Sequence, residues 1–168
     1  MRKYLVFFLL FMAGLQARAQ FTQAEVSVNG LTCSQCSRSV EMALKRLDFI
    51  SKVEMELQQP TAHIVFKKNK AIDFSKLAAA VRDAGFSVRS VKARLGTLDN
   101  GTCFLDNKIM YFNAGNAEPL KAGAHILLLG NDLISKTELD KYKQQIKQLR
   151  PVSCVQKAQK DIPFILLN

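Results

Sequence analysis

The chain has 168 residues, 48% of them hydrophobic and 23% charged, with Lys+Arg 24 against Asp+Glu 14 for a formal charge of +10. That length holds one or two domains. The mixture is an ordinary globular one, which excludes a disordered chain, a collagen-like chain and a polytopic membrane protein. Four cysteines are too few for a disulfide scaffold, so each is read from its spacing.

Residues 1–19 read as an address. Arg2 and Lys3 form a positive start, residues 4–15 (YLVFFLLFMAGL) are an unbroken apolar run, and Ala17-Arg18-Ala19 is a small-x-small cleavage site. This is the layout of a secretory signal peptide, with cleavage expected after Ala19. The apolar run as a helix spans about 18 Å against a hydrocarbon core of about 30 Å, too short for a membrane anchor. The remainder is expected in an oxidising compartment, periplasmic or secreted, without stable membrane insertion. Disulfides can persist there.

Residues 20–95 read as one βαββαβ unit. Residues 24–29 (AEVSVN) alternate apolar and polar, the mark of a half-buried strand, and Gly30 punctuates it. A helix follows, with Val40, Ala43, Leu44 and Leu47 on one face. Residues 50–57 and 61–66 are two strands around the turn Gln58-Gln59-Pro60. Phe74, Leu77, Ala78, Val81 and Ala84 mark a second amphipathic helix capped by Gly85, and residues 86–91 alternate again as a closing strand. Two helices and four alternating strands make a sheet covered on one face, a ferredoxin-like arrangement. Coverage on both faces would read as solid apolar runs.

Cys33 and Cys36 carry the chemistry. Two thiols separated by two residues can hold one ion together, and the first turn of a helix favours thiolate over thiol through its free N–H groups and dipole. Thiolates select soft ions, copper(I) first among biological cases. A pair suits a two-coordinate ion and leaves room for a third sulfur from a partner. A structural zinc(II) site wants four ligands, and no second CxxC or nearby His supplies them. The same spacing also serves thiol–disulfide oxidoreductases, although Trp before the pair and Pro within it are absent. An idle disulfide in a structural or interaction protein is the third reading.

The stretch Gly30-Leu31-Thr32-Cys33-Ser34-Gln35-Cys36, with Val40-Glu41-Met42-Ala43-Leu44 and Asp83-Ala84-Gly85-Phe86, resembles the heavy-metal-associated domain family. That family includes copper chaperones, modules of copper-transporting P-type ATPases and the periplasmic mercury-binding protein. The resemblance covers about residues 25–92. It implies a ferredoxin-like fold and metal binding through Cys33 and Cys36, with copper(I) expected and mercury(II) or zinc(II) as alternatives. Leu31 stands where the family usually has Met, and is expected to pack beneath the metal loop. Phe86 falls where bacterial copper chaperones often carry an aromatic residue. His63 lies on the face away from the core and reads as a bystander; His125 reads as structural.

Residues 96–168 read as a small α+β domain of unknown role, opened by turn-rich residues 96–101. A hairpin is expected around Asp106-Asn107, and a strand over 125–129. The capping box Ser135-Lys136-Thr137-Glu138 starts a helix with Leu139, Tyr142, Ile146 and Leu149 on one face, stopped by Pro151. Residues 162–167 form a terminal strand, placed at a sheet edge because of Pro163. Cys103 and Cys154, 51 positions apart, match no metal spacing and are expected to be disulfide-bonded. Asn100-Gly101-Thr102 matches a glycosylation sequon and reads more simply as a turn. The positive charge is spread without interleaved aromatic residues, which argues against nucleic acid and leaves a solvated surface, an acidic partner or an anionic membrane surface. The combined expectation is an exported soft-metal carrier, not an enzyme, that exchanges its ion with a metal-donor or metal-acceptor protein such as a heavy-metal transporter.

Overall fold

The computed structural model describes residues 21–96, 102–106, 108–115, 118–146, 154 and 158–167. The expected signal peptide, Asn100 and Gly101 of the sequon, Leu149 and Pro151 lie outside the described residues. Among those described, no helix is long and apolar enough to cross a membrane.

The first half alternates as its pattern demands. It comprises β1 (Phe21–Asn29), α1 (Ser34–Lys45), β2 (Ile50–Glu56), β3 (Thr61–Phe66), α2 (Phe74–Asp83) and β4 (Ser87–Leu95). Every other residue of β1 and β3 is buried: Ala24, Val26 and Val28, then Ala62, Ile64 and Phe66. Both helices contribute their apolar stripes to the same core, Val40 and Leu44 from α1 and Phe74, Leu77, Ala78 and Val81 from α2. Helix α2 is closed by a complete Schellman motif. Phe86 N–H donates to Val81 O and Gly85 N–H to Arg82 O, with Gly85 at φ 90°. The strand order β2-β3-β1-β4 is that of a ferredoxin-like sheet, with its second face open.

The second half continues this sheet. It adds β5 (Cys103–Asp106), β6 (Ile109–Asn113), β7 (His125–Leu128), α3 (Lys136–Tyr142) and β8 (Lys160–Leu167). The full order is β2-β3-β1-β4-β7-β8-β6-β5, with β7 antiparallel to β4 through Lys92↔Leu127 and Arg94↔His125. Strands β5 and β6 form the expected hairpin. The main core crosses the junction. Phe21 lies edge-on to Phe74, Phe104 and Tyr111, at ring centroids of 4.9, 5.6 and 5.1 Å.

Strands β6, β7 and β8 are covered on both faces, which explains their solid apolar sequences. Ile109, Tyr111, Ile126, Leu128, Ile162 and Phe164 join the main core, while Met110, Phe112, Leu127 and Ile165 face a second cluster under α3. Two expectations fail here. Strand β8 lies between β7 and β6, away from any edge. Pro163 is accommodated because its carbonyl, which accepts from Leu129 N–H at 2.8 Å, faces chain just past the end of β7. The missing N–H therefore falls where the ladder has already run out. Helix α3 ends at Tyr142, well short of Pro151. None of its residues is fully buried, and so short a helix without a deep face gains little from packing to extend it.

Candidate metal centre

Strand β1 ends at Asn29, and Gly30 (φ 83°) turns the chain into the cysteine loop. A Cβ on Gly30 would sit 3.8 Å from the Phe86 ring. Leu31 and Phe86 pack against the main core, which fixes both sides of the loop. Cys33 is the N-cap of α1, in extended conformation (φ −138°, ψ 156°). Its sulfur accepts the Cys36 N–H at 3.1 Å. A sulfur thus takes the position that a Ser or Asp oxygen usually holds, and it meets the helix dipole at its positive end.

Cys33 is exposed and Cys36 half-buried. Their Cα atoms stand 5.2 Å apart and their sulfurs are joined in a disulfide. Two electrons and two protons from an external dithiol reductant open this pair to two thiols, and the Cys36 N–H with the helix dipole favours their ionised form. Ser37 was not singled out by the sequence. It is buried, and its backbone N–H (3.1 Å) and hydroxyl (3.4 Å) both donate to Cys33 O. The only cue to it was the helical spacing of four from Cys33. Along the exposed side of α1, Glu41 receives a hydrogen bond from Lys45, which holds its carboxyl below the usual range, and Arg38 stands 3.7 Å away.

The other candidate residues lie elsewhere. His63 is on the open sheet face, its Nε2 3.2 Å from Glu56 and its Nδ1 4.0 Å from Glu25. His125 is exposed at the start of β7, and both histidines border a cavity of about 250 Å³ on that face. Among the described residues no group of three or more His, Cys, Asp or Glu is placed to hold a metal. Cys103 and Cys154 form a disulfide, Cα atoms 6.0 Å apart, that ties β5 to the second cluster.

A ferredoxin-like unit with a CxxC pair at the start of its first helix is thus the class of protein that fold and site define. Residues 25–87 match the model of the heavy-metal-associated domain, and this segment belongs to that family. The copper chaperone CopZ of Staphylococcus epidermidis is 28% identical over 68 residues, 40% of this chain and 98% of the chaperone. A probable copper-exporting P-type ATPase of Archaeoglobus fulgidus is 36% identical over 63 residues, 38% of this chain. The chain spans only 8%, 6% and 9% of the copper ATPases of Archaeoglobus fulgidus, Arabidopsis thaliana and Rhizobium meliloti. Among solved structures, oxidized MerP from Ralstonia metallidurans is 34% identical, covers 39% of this chain and 93% of its own, and has a TM-score of 0.36.

Proposed function

We propose that the reduced protein holds one copper(I) ion between the thiolates of Cys33 and Cys36 and passes it on by ligand exchange. The observation that carries this reading is the exposed CxxC at the N-cap of α1, with a backbone N–H already directed at one sulfur. Its similarity to CopZ over nearly that whole chaperone supports copper as the cargo. Two sulfurs satisfy a near-linear soft ion while leaving it open to attack. An incoming thiolate forms a third bond to the ion, one of the two cysteines departs, and the ion moves without a change of oxidation state. Mercury(II) has the same taste for two sulfurs and is the second candidate cargo; zinc(II) would need further ligands from elsewhere.

The partner in this reading is a metal-donor or metal-acceptor protein such as a heavy-metal transporter domain. The place of action is the periplasm or exterior, supported by the leader-like residues 1–19 and by the Cys103–Cys154 disulfide. The closed Cys33–Cys36 bond gives the oxidoreductase reading its one observation. One experiment separates the two. The reduced chain should bind one copper(I) in competition with a chromogenic chelator, and the Cys33→Ser, Cys36→Ser double variant should bind none. Unchanged binding by that variant, or catalytic turnover of a model disulfide with no copper retained, rejects the proposal.

A further inference from the structure

The end of the molecule opposite the metal loop carries a concentrated positive charge. Strand β1 runs about 26 Å from Phe21 to Asn29, so its start and the cysteines mark two poles. At the Phe21 pole, Gln23 pairs with Val65 and with Arg94, which places the β3–α2 loop and the end of β4 beside it. That loop presents Lys67, Lys68 and Lys70, all exposed, and Lys67 and Lys68 border a small cavity with Phe21, Thr22 and Val65. Phe74 against Phe21 brings the N-terminus of α2, with exposed Lys76, to the same pole. The clustering is electrostatically real. Lys70 binds Asp48 at 3.2 Å, and Lys67 and Lys76 add to the field that holds that carboxyl below its usual range. The acids here are already engaged: Asp48 by Lys70, and Asp73 by capping the Ser75 and Lys76 N–H groups.

We propose that this basic pole, Lys67, Lys68, Lys70, Lys76 and Arg94, docks on an anionic phospholipid surface and so points the Cys33–Cys36 loop away from the membrane. Charge complementarity carries this, since clustered basic side chains near a membrane surface are drawn to anionic headgroups. A protein held this way offers its metal loop to partners approaching from the aqueous side, at the far end of β1.

The test is sedimentation of the full chain with vesicles of phosphatidylcholine alone or with about one-third phosphatidylglycerol. The reading is the ratio of the two, in which any charge-independent binding cancels. That ratio is expected to exceed tenfold at low salt and to collapse toward unity at about 0.5 M salt. Lys67→Glu, Lys68→Glu, Lys76→Glu should lower it about tenfold or more. Arg38→Glu, Arg89→Glu, Lys136→Glu, an equal change of net charge at the metal-loop end, should leave it unchanged. Reduced Cys33 and Cys36 should alkylate at the same rate with and without anionic vesicles. No preference for anionic vesicles, an equal fall in both variants, protection of the cysteines by vesicles, or binding to a soluble polyanion with none to vesicles would each overturn the assignment. Where a variant fails to fold, the alkylation rates of Cys33 and Cys36 in the unmodified chain still decide which pole faces the vesicle.

Discussion

The Tyr111 hydroxyl lies buried among Phe21, Phe74 and Phe104, with no hydrogen-bond partner among the described residues. Burial, and then the nearby charges of Asp106 and Asp73, push its pKa up, so it stays protonated and unpaired. A buried polar group without a partner costs about 1–3 kcal/mol. Tyr111→Phe should therefore raise the urea midpoint by the equivalent of about 1 kcal/mol with an unchanged slope; a lower midpoint would show that the hydroxyl has a partner. Glu41 makes a smaller prediction. Its pKa is lowered in the fold by Lys45, so its contribution is complete above the ordinary glutamate range and fades as pH falls through the lowered value. Glu41→Gln should cost about 0.5 kcal/mol at neutral pH, and the difference from the parent chain should disappear in strong acid. The cysteine pair was legible because its spacing is itself the chemistry. Ser37 was not, because its spacing of four from Cys33 is common to any residue one turn past a cap and does not mark the carbonyl it serves.

At the scale of elements, patterns set by local chemistry were readable, and those set by distant packing were not. The alternation of β1, β3 and β4 and the Gly85 cap each state their own geometry. Ser135 also does so, accepting Glu138 N–H at 3.3 Å as the capping box requires. Since α3 buries no residue completely, it depends on that cap. Ser135→Ala should cost about 1 kcal/mol, read from thermal unfolding, and loss of less than a few tenths would mean that packing alone holds the helix. The period through Ile146 suggested a longer helix because apolar spacing persists past Tyr142, where the regular helix gives way to a turn in which Gln145 and Ile146 N–H both donate to Tyr142 O. Pro163 suggested an edge because the sequence does not show that β7 ends one residue before it would need the missing N–H. The solid runs of β6, β7 and β8 were visible, but what covered their second face depended on a helix outside those runs.

For the whole molecule, the sheet from β2 to β5 is continuous and the main core draws on both halves. A boundary at residues 95–96 is thus a boundary of sequence pattern, crossed by β4–β7 pairing and by the Phe21 cluster. Phe21→Ala should cost about 3–5 kcal/mol and shift one unfolding transition reported alike by far-ultraviolet and tyrosine signals. Two separated transitions would show that the halves unfold independently. Replacing Cys103 and Cys154 by Ser should remove about 4 kcal/mol on the loop-entropy model while leaving copper binding by the reduced chain intact.

The central claim is that two sulfurs at the start of α1 hold the ion. Copper X-ray absorption on the reduced full chain, loaded with one copper(I) and washed, measures that coordination directly. The account predicts two sulfur neighbours and no nitrogen or oxygen in the inner shell. A shell dominated by nitrogen or oxygen, or an ion lost on washing, would contradict it.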